Sequence, residues 1–344
     1  MAAPHDPSSP VVLVIGDPFV PAATIAAPLY GLAPDWTVVE HDWDVPFDQA
    51  VDVNRQVERD GPEAGAVELT SAEDPARVIG VVTQFHPLPA RTLTRWPQLR
   101  FVATLRAGTE NVDVEELRRR GVPLVDNAGR NANAVAEFTV GAILGQLRRL
   151  GEHHHSIRTG GWRAPEPDGG YQELAGMTVG LVGFGAIGSL VATKLGGFDV
   201  RLLASDPFAD LAGRGDVEGV DLSTLLRDSD VVSLHTRLTP DTQHLLGAAE
   251  LDLLRPHAVL VNTARAELVD EDALVARLRD GRIGGAALDV FGTEPLPRDH
   301  PLRSLPQVAL SPHLAGATAQ ARDRAPQLLA RRIADRLGLP APGA

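Results

Sequence analysis

Three side chains with complementary chemistry each follow a short apolar run in the second half of the sequence: Arg265, Glu294 and His313. If those runs are parallel strands, the three residues lie at one edge of a sheet, where ligands of such sheets bind. Histidine exchanges protons near neutral pH, a neighbouring carboxylate raises its pKa, and arginine binds a carboxylate through two hydrogen bonds. Taken singly, each residue also suits an exposed cap, turn or loop. Together, beside a nucleotide cofactor, they would serve hydride and proton transfer at the carbonyl of an anionic substrate.

A glycine motif earlier in the chain supplies a place for the hydride carrier. Gly183, Gly185 and Gly188 form the spacing G-x-G-x-x-G between an apolar run and a helical pattern. The first glycine permits a tight turn, the second lets a pyrophosphate approach the backbone, and the third lets the helix pack on the strand. Asp206 follows the next predicted strand, where an acid can bind the ribose hydroxyls. The alternative is a glycine turn in an ordinary α/β unit, with Asp206 capping a helix.

Composition limits the remaining classes of function. The chain has 344 residues, enough for two domains, and 44% of them are hydrophobic and 22% charged. A net charge of −13 argues against nucleic acid and anionic membranes as partners. The sequence contains no cysteine, which excludes disulfides and thiolate chemistry. With a Pro-rich start that does not resemble a signal peptide, this favours a cytoplasmic protein. Residues 1–10 and 339–344 are predicted to be disordered tails.

Three consecutive histidines could suggest a metal site. His153, His154 and His155 lie near the end of a predicted helix. Adjacent residues of a helix point in different directions, so one ion could not easily bind all three. The run is therefore interpreted as a solvated helix end, and no metal is expected.

The elements that must position these groups follow an alternating pattern. Short apolar runs separated by helical stretches predict an α/β fold with parallel sheets. Residues 132–311 are predicted to form a complete dinucleotide-binding domain, and residues 1–131 with 312–344 a second domain. A helical pattern from Asn133 to Arg149, which could run on to Ile157, is expected to link the two. The segment 48–76 is polar and suits a helix and a long loop.

In these residues and their spacing, the chain resembles the D-isomer-specific 2-hydroxyacid dehydrogenases, which include D-3-phosphoglycerate dehydrogenase. The resemblance covers most of the chain and is strongest from Leu99 to Gly316. It implies two Rossmann-like domains with doubly wound sheets, an active site in the cleft between them, NAD as the cofactor and a homodimer. The segments that carry it are residues 106–113, 131–137, 183–188, 234–236, 262–265, 289–295 and 311–316.

The resemblance also implies roles for individual residues. Arg265, Glu294 and His313 match the catalytic trio, and Asp289 matches the residue that binds the nicotinamide amide. Residues expected to contact the cofactor are Gly183, Gly185, Ala186, Ile187, Gly188, Asp206, His235, Thr236, Thr263, Ala264, Asp289 and Gly316. Residues expected to contact the small anionic substrate are Gln84, Arg106, Ala107, Gly108, Thr109, Arg265 and His313. The resemblance assigns the substrate carboxylate to backbone amides in residues 106–109.

Some positions depart from the pattern of the family. Ala266 replaces a common glycine after the catalytic arginine, and Arg237 replaces a usual proline near the cofactor. Gln84 and Phe85 occupy the region where phosphoglycerate dehydrogenases commonly place an arginine. The leading hypothesis is therefore a D-2-hydroxy acid dehydrogenase, with D-3-phosphoglycerate as the alternative substrate. An NADH-sensing corepressor is the alternative of another class.

Overall fold

The computed structural model describes residues 9–65, 73–162 and 170–342. Most of the predicted N-terminal tail, the final two residues and part of the segment 48–76 lie outside these ranges. The described chain divides into two compact units. The first comprises residues 9–131 and 319–342, and the second comprises residues 132–318.

The strands of the described residues, in chain order, are β1 (Val11–Gly16), β2 (Thr37–Asp42), β3 (Val78–Thr83), β4 (Phe101–Thr104), β5 (Leu124–Val125), β6 (Thr178–Val182), β7 (Arg201–Ser205), β8 (Glu218–Gly219), β9 (Val231–Leu234), β10 (Val259–Asn262), β11 (Gly285–Leu288) and β12 (Val308–Leu310). The helices are α1 (Ala22–Ala26), α2 (Phe47–Asp60), α3 (Ala90–Leu93), α4 (Val114–Arg120), α5 (Ala132–Leu147), α6 (Leu150–Arg158), α7 (Ala186–Leu195), α8 (Leu222–Asp228), α9 (Ala248–Leu251), α10 (Glu271–Arg279) and α11 (Ala319–Leu337).

The first unit is built on a parallel sheet in the order β2-β1-β3-β4-β5. Every residue of β1, β3 and β4 is buried, as expected for strands covered on both faces. The edge strand β2 alternates buried, half-buried and exposed residues, so its sequence lacks the continuous apolar run of its neighbours. Asp113 caps α4 at its start, and Gly121 ends it in the left-handed conformation.

The second unit contains the larger parallel sheet, in the order β12-β11-β10-β9-β6-β7-β8. This topology and the sheet of the first unit confirm the predicted α/β class with two Rossmann-like parallel sheets. The predicted long helix is two helices, because Arg149 adopts a left-handed conformation with φ of 49° between α5 and α6. No pattern of apolar residues signals such a break.

The register of the second sheet aligns the ends of its strands. Val182 pairs with Leu234, Leu234 with Asn262, Asn262 with Leu288, and Leu288 with Leu310. The segments that follow β6, β9, β10, β11 and β12 therefore leave the sheet side by side at one edge. This alignment brings candidate residues distant in sequence to one place, as the positions after the strands predict.

Candidate active site

His313 and Glu294 form a hydrogen-bonded pair in the second unit. The distance from His313 Nδ1 to Glu294 Oε2 is 3.0 Å, and Glu294 Oε1 also accepts a hydrogen bond from the Phe291 N–H. The hydrogen bond to Glu294 raises the pKa of His313; burial opposes it, the Glu294 charge reinforces it, and Arg265 and Asp289 have smaller opposing effects. Burial raises the pKa of Glu294, but the hydrogen bond and charge of His313, with smaller effects of the Phe291 N–H and the Arg265 charge, together outweigh it, so the net shift is downward. Both directions favour an imidazolium–carboxylate pair.

Arg265 adds a positive charge to the same edge. Its side chain is exposed and acts electrostatically on both His313 and Glu294. Asn262 holds the local turn, because its amide donates to the Arg265 carbonyl at 2.8 Å and its oxygen accepts from the Ala264 N–H at 3.0 Å. Among the described residues no carboxylate pairs with the Arg265 guanidinium, which donates only to the Ala264 carbonyl. Its remaining donors can bind an anionic ligand.

Asp289, the first residue after β11, lies beneath the His313 segment and is 1% exposed. Its Oδ1 accepts from the Ser311 hydroxyl at 2.6 Å and from the Leu314 N–H at 3.0 Å. Its Oδ2 accepts from the Ala315 N–H at 2.8 Å. Both carboxylate oxygens are thus bonded within the protein.

The glycine loop has the shape that a dinucleotide pyrophosphate requires. Gly183 has φ of 92°, and a Cβ there would lie 2.7 Å from Thr236 Oγ1. A Cβ on Gly188 would lie 2.3 Å from the Gly183 carbonyl oxygen, so only glycine allows α7 to start this close to β6. Gly185 has open space beside it, and no side chain caps the first N–H groups of α7. The amides of Ala186, Ile187 and Gly188 in that turn are typical phosphate donors.

Asp206 fits the ribose end of the same ligand. Its Oδ2 accepts from the Phe184 N–H at 2.7 Å, and its Oδ1 accepts from the Phe208 N–H at 2.8 Å. A carboxylate accepts up to about four hydrogen bonds, so each oxygen keeps a lone pair for a hydroxyl group. These bonds also tie Asp206 to the glycine loop.

The other predicted cofactor contacts lie near the same edge or support it. His235 Nε2 is 3.0 Å from Ser233 Oγ, and burial lowers the pKa of His235 to about 4, so the ring is neutral near pH 7. Thr236 Oγ1 is 3.4 Å from the Val182 carbonyl oxygen. Thr263 Oγ1 is 3.0 Å from Thr139 Oγ1, which joins β10 to α5. Ala264 and Gly316 are half-buried in the segments that carry Arg265 and His313.

The predicted substrate residues Gln84, Arg106, Ala107, Gly108 and Thr109 belong to the first unit. Gln84 follows β3 and is 4% exposed. The Arg106 guanidinium is bound by Asn54 and Glu58 and lies over the Phe85 ring. In contrast, the N–H groups of residues 107–109 donate to no group in the described part of the chain. The backbone of this loop, rather than the Arg106 side chain, is available to an anion.

The second unit also matches a family described as D-isomer specific 2-hydroxyacid dehydrogenase, NAD binding domain, over residues 140–315. The chain belongs to this family. A glyoxylate reductase of Thermofilum pendens is 40% identical over 83% of this chain and 85% of its own. A glycerate dehydrogenase of Methylorubrum extorquens is 36% identical over 72% of this chain and 78% of its own. The crystal structure of a glyoxylate reductase from Paecilomyes thermophila superimposes with a TM-score of 0.74 at 25% identity, covering 96% and 97% of the two chains.

The protein is therefore a 2-hydroxyacid dehydrogenase, and its second unit is an NAD-binding domain. These relatives carry the names of enzymes, which supports the enzyme over the corepressor alternative. Their names do not single out D-3-phosphoglycerate as the substrate.

Two structural features of the dehydrogenase were not evident from its sequence. Asp17, directly after β1, is 4% exposed, and its carboxylate accepts N–H bonds from Phe19, Val20 and Phe85. Burial raises the pKa of Asp17 to about 6, although those bonds and the Arg106 charge oppose the shift. The bonds of Asp289 to residues 311–315 were missed as well. Proximity between distant segments creates both, so only the strand-end rule could have indicated them.

The histidine run of the dehydrogenase lies on α6, where the His153 ring packs against Tyr171 at 5.3 Å. Within the three described ranges, no group of His, Cys, Asp and Glu residues could hold a metal ion. Nor does any helix there have the length and apolar character needed to cross a bilayer.

Proposed function

We propose that this dehydrogenase reduces a small 2-keto acid to its D-2-hydroxy acid, with His313 as the proton donor. The observation that carries the proposal is the His313–Glu294 pair at the sheet edge that also holds Arg265 and the glycine loop. A general acid for this reaction must be protonated near neutral pH. Glu294 favours that state in His313.

His313 and Arg265 have different roles in this reaction. His313 Nδ1 is bound to Glu294, which leaves Nε2 to give its proton to the developing alkoxide. Arg265 binds the substrate carboxylate and polarises the carbonyl with the donors that the protein leaves free. When bound, the reduced nicotinamide supplies the hydride. In the reverse direction neutral His313 accepts the hydroxyl proton.

We assign the loop 107–109 of the first unit to the substrate as well. Its unpartnered N–H groups suit a carboxylate, since successive backbone amides form anion-binding concavities. Gln84 is assigned to the variable end of the substrate because it follows β3 without a charge. An uncharged side chain there favours glyoxylate or hydroxypyruvate over a phosphorylated acid, which supports the leading hypothesis over D-3-phosphoglycerate.

For the cofactor we propose NAD over NADP, because Asp206 would repel a 2′-phosphate and is followed by Pro207 and Phe208 rather than a cation. We also propose a homodimer. Its interface would include α5, whose residues are apolar on most sides. A cytoplasmic location stays a prediction.

The deciding experiment is NADH oxidation at 340 nm with glyoxylate, hydroxypyruvate, pyruvate and 3-phosphohydroxypyruvate, repeated with NADPH. We expect the highest kcat/KM with NADH and one of the first two acids. Preference for the phosphorylated acid would establish the alternative substrate. Absence of turnover with every 2-keto acid would refute the proposed function.

A further inference from the structure

We propose that Asp289 is a positioning residue that holds the His313 loop, residues 311–315, in the conformation that directs His313 toward Glu294. The inference rests on the acid–base role proposed for His313. It differs from the role that the family resemblance implies, which is binding of the nicotinamide amide.

The first support is the distribution of the hydrogen bonds around His313. The Asp289 carboxylate accepts from Ser311 on one side of His313 and from Leu314 and Ala315 on the other. The Asp289 carbonyl accepts from the His313 N–H itself at 2.8 Å. One residue at the end of a buried strand therefore fixes the His313 loop at four points.

The second support is the backbone of His313, which has φ of 52°. Side chains with a Cβ rarely adopt this left-handed conformation, so it persists only where surrounding bonds impose it. The ring does not impose it, since the side chain is 46% exposed and, within the described part of the chain, bonds only to Glu294. The His313 N–H donates to the carbonyls of Asp289 and Ser311, at 2.8 and 3.0 Å. Because the Asp289 carboxylate also binds the Ser311 hydroxyl, Asp289 supports both contacts and so keeps the ring beside Glu294.

The third support is that Asp289 has little capacity left for a ligand. It is 1% exposed, and its carboxylate already accepts three hydrogen bonds from the protein, of the about four that a carboxylate can accept. The charged groups that act on His313 are Glu294, Arg265 and Asp289, and Glu294 has the largest effect. Loss of Asp289 should thus act on His313 mainly by releasing it from Glu294.

The test compares Asp289→Asn with Ser311→Ala, which removes one of the three side-chain bonds. An asparagine is close to isosteric, but its NH2 group cannot accept the bond that Oδ2 receives. We expect Asp289→Asn to lower kcat at saturating NADH about tenfold or more, as small displacements of a catalytic group do. In the pH profile of kcat for reduction, the alkaline limb, where activity falls as His313 loses its proton, should shift to lower pH. The Kd for NADH, measured by quenching of tryptophan fluorescence, should stay unchanged. Ser311→Ala should change both parameters in the same direction by less.

The matched control is Asp221→Asn. Asp221 caps α8 in the same unit and likewise accepts three bonds, from two hydroxyls and one N–H, so its loss tests a purely structural effect. It should leave kcat and the pH profile unchanged. Coupling to Glu294 is tested by Glu294→Gln in the Asp289→Asn background, where we expect no further shift of the limb.

Two results would overturn the inference. A Kd for NADH raised tenfold or more, with kcat and the limb unchanged, would show that Asp289 binds the cofactor. If Asp289→Asn fails to fold, an unchanged kcat and limb in folded Ser311→Ala would also reject it. Failure of the proposed function is separate, because it would appear as full activity in His313→Ala.

Discussion

His313 Nδ1 lies 3.0 Å from Glu294 Oε2, and this contact favours the protonated form of the candidate acid. The two residues are nineteen positions apart in sequence and follow strands β12 and β11, which are neighbours in the sheet. The pairing raises the pKa of His313. Imidazolium, the form needed for reduction, therefore persists to higher pH than it would in an isolated histidine.

Glu294→Gln should separate charge from shape at this contact. Glutamine keeps an acceptor for His313 but no negative charge, so the pKa of His313 should fall. The alkaline limb of reduction and the acidic limb of oxidation should both move to lower pH, because each reports loss of the His313 proton. The measurement is kcat/KM from pH 5 to 10, an assay range of about five pH units around the ordinary histidine value. If neither limb of the kcat/KM profiles moves, Glu294 does not raise the pKa of His313.

Arg265→Ala should weaken substrate binding and slow the reaction together. Arg265 has donors free for a carboxylate, and charge-assisted bonds of this kind contribute enough for about a tenfold to hundredfold rise in KM. Because the guanidinium also polarises the carbonyl, kcat should fall. Arg282→Ala removes an exposed arginine that pairs with Asp252, and it should leave both constants unchanged. Equal effects of the two variants would contradict the assignment.

Asp206→Ala should weaken NADH binding about tenfold by removing a carboxylate that can bond the ribose hydroxyls. The Kd for NADPH should change less, because the repulsion of the 2′-phosphate is lost at the same time. Titrations of both cofactors measure the ratio. Asp210→Ala is the control, since this exposed acid lies in the same region and accepts a hydrogen bond from the Ala212 N–H. A wild-type kcat/KM higher with NADPH than with NADH would refute the NAD preference.

Ile157→Asp should disrupt the proposed homodimer. Leu150 and Ile157 are 60% and 58% exposed and lie two turns apart on the same side of α6, the helix that directly follows α5. Light scattering at micromolar concentration should give twice the 36.5 kDa chain mass for the wild type and a lower mass for the variant. Phe208→Asp, which changes a side chain 96% exposed in the segment after β7, should remain dimeric. If the wild-type protein is a monomer under these conditions, the homodimer proposal is wrong.

The sequence predicts those elements of the structure that have a local pattern of residues, and it does not predict those that depend on tertiary contacts. The glycine spacing and the continuous apolar runs of β6 and β10 carry their own signal, and the structure has both strands. The half-polar edge strand β2 and the two-residue strand β8 have no such pattern in their sequences, because it is the neighbouring strands that stabilise them. The break at Arg149 and the bonds of Asp289 depend on tertiary contacts that no local pattern records.

The most direct measurement is kcat of His313→Ala with the best 2-keto acid and saturating NADH. His257→Ala is the matched control, because His257 Nε2 also lies 2.9 Å from a carboxylate, Asp230, in the same unit. The account predicts a loss of about a hundredfold or more for His313→Ala, within the usual contribution of general acid catalysis, and no loss for the control. Near-full activity in His313→Ala would contradict the account.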